Sequence, residues 1–175
     1  ILIGGGDNQK KYGNFLYDKI SNKNILIFSS LRSLINFSNL RKDNMKNPKV
    51  LVCSGNDLQK YSNNLINNLL KKINFIIVEE NFAKNISNFF PPKNIILSNT
   101  IAKNPLLIVG SILNRTKFKK LYLAYFDGNP KNEQEFIIME ETLVSLKKLS
   151  KKTIKFYSIT KNFFDIPYIS PWIND

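Results

Sequence analysis

Histidine is absent from this chain of 175 residues. That one absence removes Ser-His and Cys-His nucleophile pairs and every His-ligated metal from the chemistry the chain can perform by itself. Cysteine occurs once, at Cys53 in the apolar run of residues 50–53, so no internal disulfide can form and the thiol reads as a small core residue. No apolar run reaches the roughly 18 residues needed to span a bilayer. No segment has the layout of a secretion signal. The expectation is a cytoplasmic protein with no membrane partner.

Arginine is also scarce. Only Arg32, Arg41 and Arg115 are present, although Lys and Arg together number 26 against 13 Asp and Glu, a net charge of +13. The lysines are scattered in pairs such as Lys71-Lys72 and Lys119-Lys120. Aromatic residues are not interleaved with them on a single strand, as a platform for single-stranded nucleic acid requires. Lys, Asn and Ile are abundant together, the mark of an AT-rich coding sequence. Nucleic acid is therefore not the expected partner. A positive field raises the encounter rate of small anions without any motif, so an anionic metabolite or nucleotide is the better expectation.

What the chain does contain is a regular alternation of short apolar runs and helical patterns. Residues 1–3 form a first strand that enters the turn Gly4-Gly5-Gly6. Starting inside a strand, the chain reads as a domain cut from a longer protein. Further strands are expected at 24–29, 49–53, 74–78, 94–97, 120–126 and 153–157. Between them lie helices at 8–20 (Tyr12, Phe15, Leu16 and Ile20 on one side, with Gly13 weakening the pattern), at 31–37, and after 54–57 (Leu58, Tyr61, Leu65 and Leu69). Asn104 and Pro105 are a helix start, with Leu106, Val109 and Leu113 inward. The clearest helix runs over 131–149, with Phe136, Met139, Leu143 and Leu146 spaced three and four apart. Residues 79–92 read as irregular, and 161–175 as a tail packed along an edge. This alternation predicts one α/β domain over residues 1–175. It is a three-layer, doubly wound, mostly parallel sheet of six or seven strands, Rossmann-like, whose order reverses beside the first strand.

Ligands in such a sheet bind beyond the carboxyl ends of the strands. Those ends are polar here, and the candidate ligand-binding residues are Gly5, Gly6, Ser30, Arg32, Gly55, Asn56, Asp127 and Gly128. The glycines would let a ligand approach backbone N–H groups, Arg32 would fork onto an anionic group, and Asp127 would accept from hydroxyls. Each has a plainer reading: a tight turn at Gly4–Gly6 and at Asp127-Gly128, a helix cap at Asn56 or Asp57, a surface ion pair at Arg32. Position 9 is Gln, so the GxGxxG fingerprint is missing and a nicotinamide dinucleotide is not supported. Glu79 and Glu80 could form a carboxylate pair, although a solvated edge is the simpler reading.

The stretches ILIGGG, ILIFSSLRSL, VLVCSGND and LYLAYFDGNPKNEQEF resemble the extra carboxyl-terminal domain of HMG-CoA-lyase-like aldolases related to 4-hydroxy-2-oxovalerate aldolase. In that family the first strand ends in a glycine turn and the second in a Ser-Ser-Arg-like element, here Ser29-Ser30-Leu31-Arg32 with one residue inserted. The third runs into Gly-Asn-Glu, here Gly55-Asn56-Asp57, and a late strand ends in Phe126-Asp127-Gly128. The resemblance implies an aldolase barrel upstream that carries the metal and the oxo-acid chemistry. The resemblance does not say what the appended domain does; the polar, glycine-lined rim, the positive charge and the missing histidine point to a non-catalytic or regulatory binding module with no cofactor or metal of its own. A more distant likeness, to family 42 sialyltransferases and motility-accessory-factor proteins, implies a pocket for a nucleotide-activated sugar, but those transferases use a histidine base. A glycosyltransferase-like domain using a nucleotide-activated sugar, with Asp127, Glu79 or Glu80 in place of that base, is one alternative, and a domain that only holds an oligomer together is the second. The purified 175-residue chain should therefore release no pyruvate from 4-hydroxy-2-oxo acids, with or without divalent metal. A metal-dependent turnover lost on chelation would refute this.

Overall fold

Alternate residues of each short strand serve opposite faces of one sheet, and both faces are covered. The computed structural model of the chain describes residues 1–20, 23–40, 45–88, 90–99, 105–127, 133–149 and 153–170. In chain order the elements are β1 (Leu2–Ile3), α1 (Asn8–Lys19), β2 (Leu26–Phe28), α2 (Leu31–Ser38), β3 (Lys49–Val52), α3 (Gly55–Gln59), α4 (Asn63–Leu70) and β4 (Phe75–Glu79). They continue with α5 (Ala83–Ser87), β5 (Ile95–Ser98), α6 (Pro105–Leu113), β6 (Lys120–Ala124), α7 (Glu133–Leu149) and β7 (Lys155–Ser158).

The strands form one seven-stranded sheet in the order β5-β4-β3-β2-β1-β6-β7, and every pairing is parallel. Ile3, Phe28, Leu51, Ile76 and Val78 pack with Leu16, Tyr17, Leu34, Phe37, Ile66 and Ile86 from α1, α2, α4 and α5. Leu2, Val52, Ile77, Leu121 and Leu123 pack with Leu106, Val109, Leu113, Leu143 and Leu146 from α6 and α7. Burial on both faces is why these strands read as continuous apolar runs. The chain steps outward from β1 to β5 with its helices on one face. It then crosses back to lay β6 on the other side of β1, with α6 and α7 on the opposite face. This is the three-layer, doubly wound, Rossmann-like architecture, and its reversal falls between β1 and β6.

Several local expectations are corrected. The helix expected to carry Leu58, Tyr61, Leu65 and Leu69 is two helices. Ser62 takes an extended conformation, its hydroxyl accepts from the Leu65 N–H at 3.4 Å, and α4 begins anew at Asn63. Leu65 is consequently exposed. On α1, Tyr12 is exposed and Tyr17 takes the core position instead, while the side chain of Phe15 lies outside the described set. The segment after β4 contains a 3-10 turn (Glu80–Phe82) and α5. Glu79 ends β4 in register with Ser98 and is buried, whereas Glu80 is exposed, so the two carboxylates are neither a pair nor jointly solvated. The tail does lie along an edge: the Ser158 N–H donates to Pro167 O and the Ile169 N–H to Ser158 O, both at 2.8 Å, closing the outer side of β7. Asn104 and residues 131–132 and 171–175 lie outside the described residues.

β1 and β6 meet closely at their carboxyl ends, where the Gly4 N–H donates to Ala124 O at 2.8 Å. A Cβ on Gly4 would stand 2.5 Å from the Tyr125 carbonyl oxygen, a backbone atom that cannot swing away. A Cβ on Gly13, inside α1, would meet the Leu40 Cδ1 methyl at the same 2.5 Å, but that group can move. Gly4→Ala should therefore cost about 1–3 kcal/mol and lower the melting temperature by about 2–4 °C per kcal/mol. Gly13→Ala should cost clearly less. Equal losses in thermal melts followed by circular dichroism would show that the β1–β6 approach is not the tighter constraint.

Candidate functional site

At the reversal, the turn after β1 and the end of β6 are knit together. The Gly6 N–H donates to Tyr125 O at 3.1 Å, and the Asn8 N–H at the start of α1 donates to Asp127 Oδ2 at 3.0 Å. A Cβ on Gly6 would overlap the Asp127 carboxylate and lie 2.6 Å from Tyr125 O. The glycines at 4 and 6 thus make room for β6. Their N–H groups bond to Ala124 O and Tyr125 O, so of the two candidate glycines of this turn, Gly5 and Gly6, the N–H of Gly6 is engaged within the protein. The next donors of α1 are also taken: the Gln9 N–H by Gly6 O and the Lys10 N–H by Asp7 O, both at 3.1 Å. A helix N-terminus ordinarily attracts anions through such groups. Here its first donor already holds a carboxylate.

Asp127 is the most perturbed carboxylate at this rim. Burial raises its pKa above the ordinary aspartate value. Hydrogen bonds from Asn8 oppose the rise, and the charge of Asp7 adds to it. Its second oxygen, Oδ1, is shielded from solvent and has no hydrogen-bond partner among the described residues. Such an atom is costly to leave unpaired. Its neighbour Tyr125 is the one non-glycine with positive φ among the described residues, at 61°. A bulky residue held there stores about 1–3 kcal/mol of strain. The strained residue is fixed by its surroundings: Thr160 Oγ1 accepts from the Tyr125 N–H at 2.8 Å, and the ring is buried 6.4 Å from that of Tyr17. The Tyr125 hydroxyl is buried without a partner among the described residues, and burial keeps it protonated.

Arg32 stands on the other side of the same turn. Its stem covers Gly5, and its Nη2 lies 3.3 Å from Asp7 Oδ1, with both side chains well exposed at 60% and 81%. An ion pair this exposed contributes little stability and is readily exchanged for another anion. Ser30 is committed to structure: it caps α2, its hydroxyl accepts from the Ser33 N–H at 3.2 Å, and the Ser33 hydroxyl closes the reciprocal bond. Gly55 and Asn56 begin α3 beyond β3, two strands from β1, and their side chains lie outside the described set. Gly128 lies outside the described residues. The structure therefore joins Gly5, Gly6, Arg32 and Asp127 around one turn, with Ser30 beside it as a cap.

Sequence reasoning missed Tyr125, Thr160 and Gln9. Gln9 is fully buried and its Nε2 donates to Tyr17 Oη at 3.2 Å and to Ser33 O at 2.9 Å, tying α1 to α2. Its amide-in-helix position gave no signal of that role, and no local pattern marks a left-handed tyrosine. Cys53 is fully buried, and burial pushes its thiol far up, with the charges of Asp57 and Glu79 adding, so it is a core residue and no nucleophile. Among the described residues, no three His, Cys, Asp or Glu side chains gather as metal ligands would, and no helix is long and apolar enough to cross a membrane.

A cavity of about 380 Å³ lies elsewhere, between the α3–α4 and the β4–α5 connections. Ile66 and Ile86 form its floor, with Tyr61 and Phe82 on its walls, and none of the eight candidate residues lines it. Compared with known proteins, the chain matches no family model and no curated sequence. The class is set by the fold alone, a Rossmann-like α/β domain.

The raised pKa of Asp127 carries a sign. The folded state holds this proton more tightly than the unfolded chain, so its contribution to stability is fully present below the ordinary aspartate pKa and is lost as pH rises through the folded value. Asp127→Asn cannot lose that proton. The melting temperature of the native chain should therefore fall relative to that of Asp127→Asn as pH rises from about 4 toward neutrality. Parallel curves over that range would show that Asp127 is not desolvated.

Proposed function

We propose that the domain is a non-catalytic or regulatory binding module for a small hydroxylated anion of the nucleotide type. The ligand would be held at the β1–β6 reversal and the module would serve a larger aldolase-like enzyme. The observation that carries the reading is Asp127. It is a desolvated carboxylate with one oxygen unpaired among the described residues, at the rim where doubly wound sheets take their ligands, next to a strained Tyr125. A ligand hydroxyl donated to Oδ1 would satisfy that oxygen. Arg32, whose present partner is the exposed Asp7, lies across the Gly5-Gly6-Asp7 turn, and in this reading it would pair with the anionic group. Because the N–H groups of Gly4, Gly6, Asn8, Gln9 and Lys10 are engaged internally, the guanidinium would be the main group to meet the anion. The absence of histidine and the committed cap at Ser30 support binding without turnover in this chain.

Nucleotides and nucleotide-sugars should raise the melting temperature of the 175-residue chain in a thermal-shift panel. At 100 times Kd the added stability is about 2.7 kcal/mol. Arg32→Ala should abolish the shift while leaving the unliganded midpoint nearly unchanged, because its present pair is solvent-exposed. A broad panel that produces no shift would remove the binding reading in favour of an assembly role.

A further inference from the structure

We propose that the cavity beyond β3 and β4 binds an uncharged, hydroxylated ring such as a neutral monosaccharide unit. The cavity exists because of a local break. α3 ends at Gln59, Ser62 caps α4, and this leaves the α3–α4 connection, with Tyr61, as one wall. The 3-10 turn ending at Phe82 and α5 form the other. The volume, about 380 Å³, is within the range of small-molecule sites.

The lining selects the ligand. Its floor is apolar (Ile66 and Ile86), Tyr61 and Phe82 are half-buried on the walls, and the exposed rim carries four side-chain amides, from Gln59, Asn63, Asn85 and Asn88. No charged side chain lines it among the described residues, in a chain whose net charge is +13. A phosphate or carboxylate would find no cation there. A purely apolar ligand would strip water from the amides and return no hydrogen bonds. A pyranose-like ring suits all three layers: its C–H faces cover aromatic and aliphatic surface, and its edge hydroxyls both give and accept hydrogen bonds, as each amide does. β4 is three strands from β1, about 14 Å at the usual strand spacing, so this cavity is separate from the turn at Gly5, Arg32 and Asp127.

The test is a two-dimensional amide NMR titration of the full chain with neutral hexoses and disaccharides. Uncharged nucleosides and inorganic phosphate form separate arms. Sugar should give saturable shifts confined to residues 58–66 and 82–88, and phosphate should give none there. Asn85→Trp, which fills the mouth from an exposed position, should weaken sugar binding at least tenfold with the melting temperature unchanged. Asn63→Asp keeps an acceptor, loses the donors and suits a helix N-terminus, so it should fold normally and weaken binding severalfold. Arg32→Ala should leave sugar binding intact, which separates this site from the one at the β1–β6 reversal. No saturable sugar shift, binding by nucleosides alone, or undiminished binding in both cavity variants would overturn the proposal.

Discussion

The contact between the glycine turn after β1 and the end of β6 is the constraint on which the rest depends. Gly4 and Gly6 lack the Cβ that would collide with the Tyr125 carbonyl, and their N–H groups bond to Ala124 O and Tyr125 O. That approach seats β6 beside β1 and so reverses the strand order. The reversal sends α6 and α7 to the face that α1, α2, α4 and α5 leave open, and Leu2, Val52, Ile77 and Leu123 acquire a second core. Without it, a parallel sheet of this composition would expose one apolar face to water.

The same contact limits the chemistry at the rim. A glycine turn leading into a helix is ordinarily a seat for phosphate. Here Asp127 closes on the Asn8 N–H, and the N–H groups of Gly6, Gln9 and Lys10 bond to Tyr125 O, Gly6 O and Asp7 O. The unfavourable terms gather at this one place: a tyrosine at φ 61°, and a carboxylate oxygen and a tyrosine hydroxyl that are both unpaired among the described residues. The surrounding structure holds them through Thr160, through the Gly6 N–H and through the burial of the Tyr125 ring. Sites that retain such costs are where ligand binding has most to offer.

Along the carboxyl rim two environments differ in kind. The reversal offers an arginine and a desolvated carboxylate. The cavity at β3 and β4 offers aromatic walls and amides without charge among the described residues. By the two proposals the first would take charge and hydroxyls and the second neutral polar rings, and the two are set apart by the width of the intervening strands.

The sequence by itself determined the layering and the parallel sheet, because apolar runs buried on both faces and helical spacing are local patterns that survive folding, while the reversal beside the first strand is expected from the general form of doubly wound sheets and is made by the β1–β6 contact. It marked Gly4–Gly6, Arg32 and Asp127 through their places after strands, and Leu106, Val109, Leu113, Leu143 and Leu146 through their period. Only the tertiary structure decided what those residues touch. That Gly6 yields to Asp127, that Arg32 faces Asp7, that Tyr125 turns left-handed and that Glu79 is buried while Glu80 is not are contacts between segments far apart in the chain. Nothing in a residue's near neighbours encodes them. The break at Ser62 was written locally as a cap, but the helical spacing of Leu58, Tyr61, Leu65 and Leu69 masked it, and the cavity it opens takes its other wall from beyond β4.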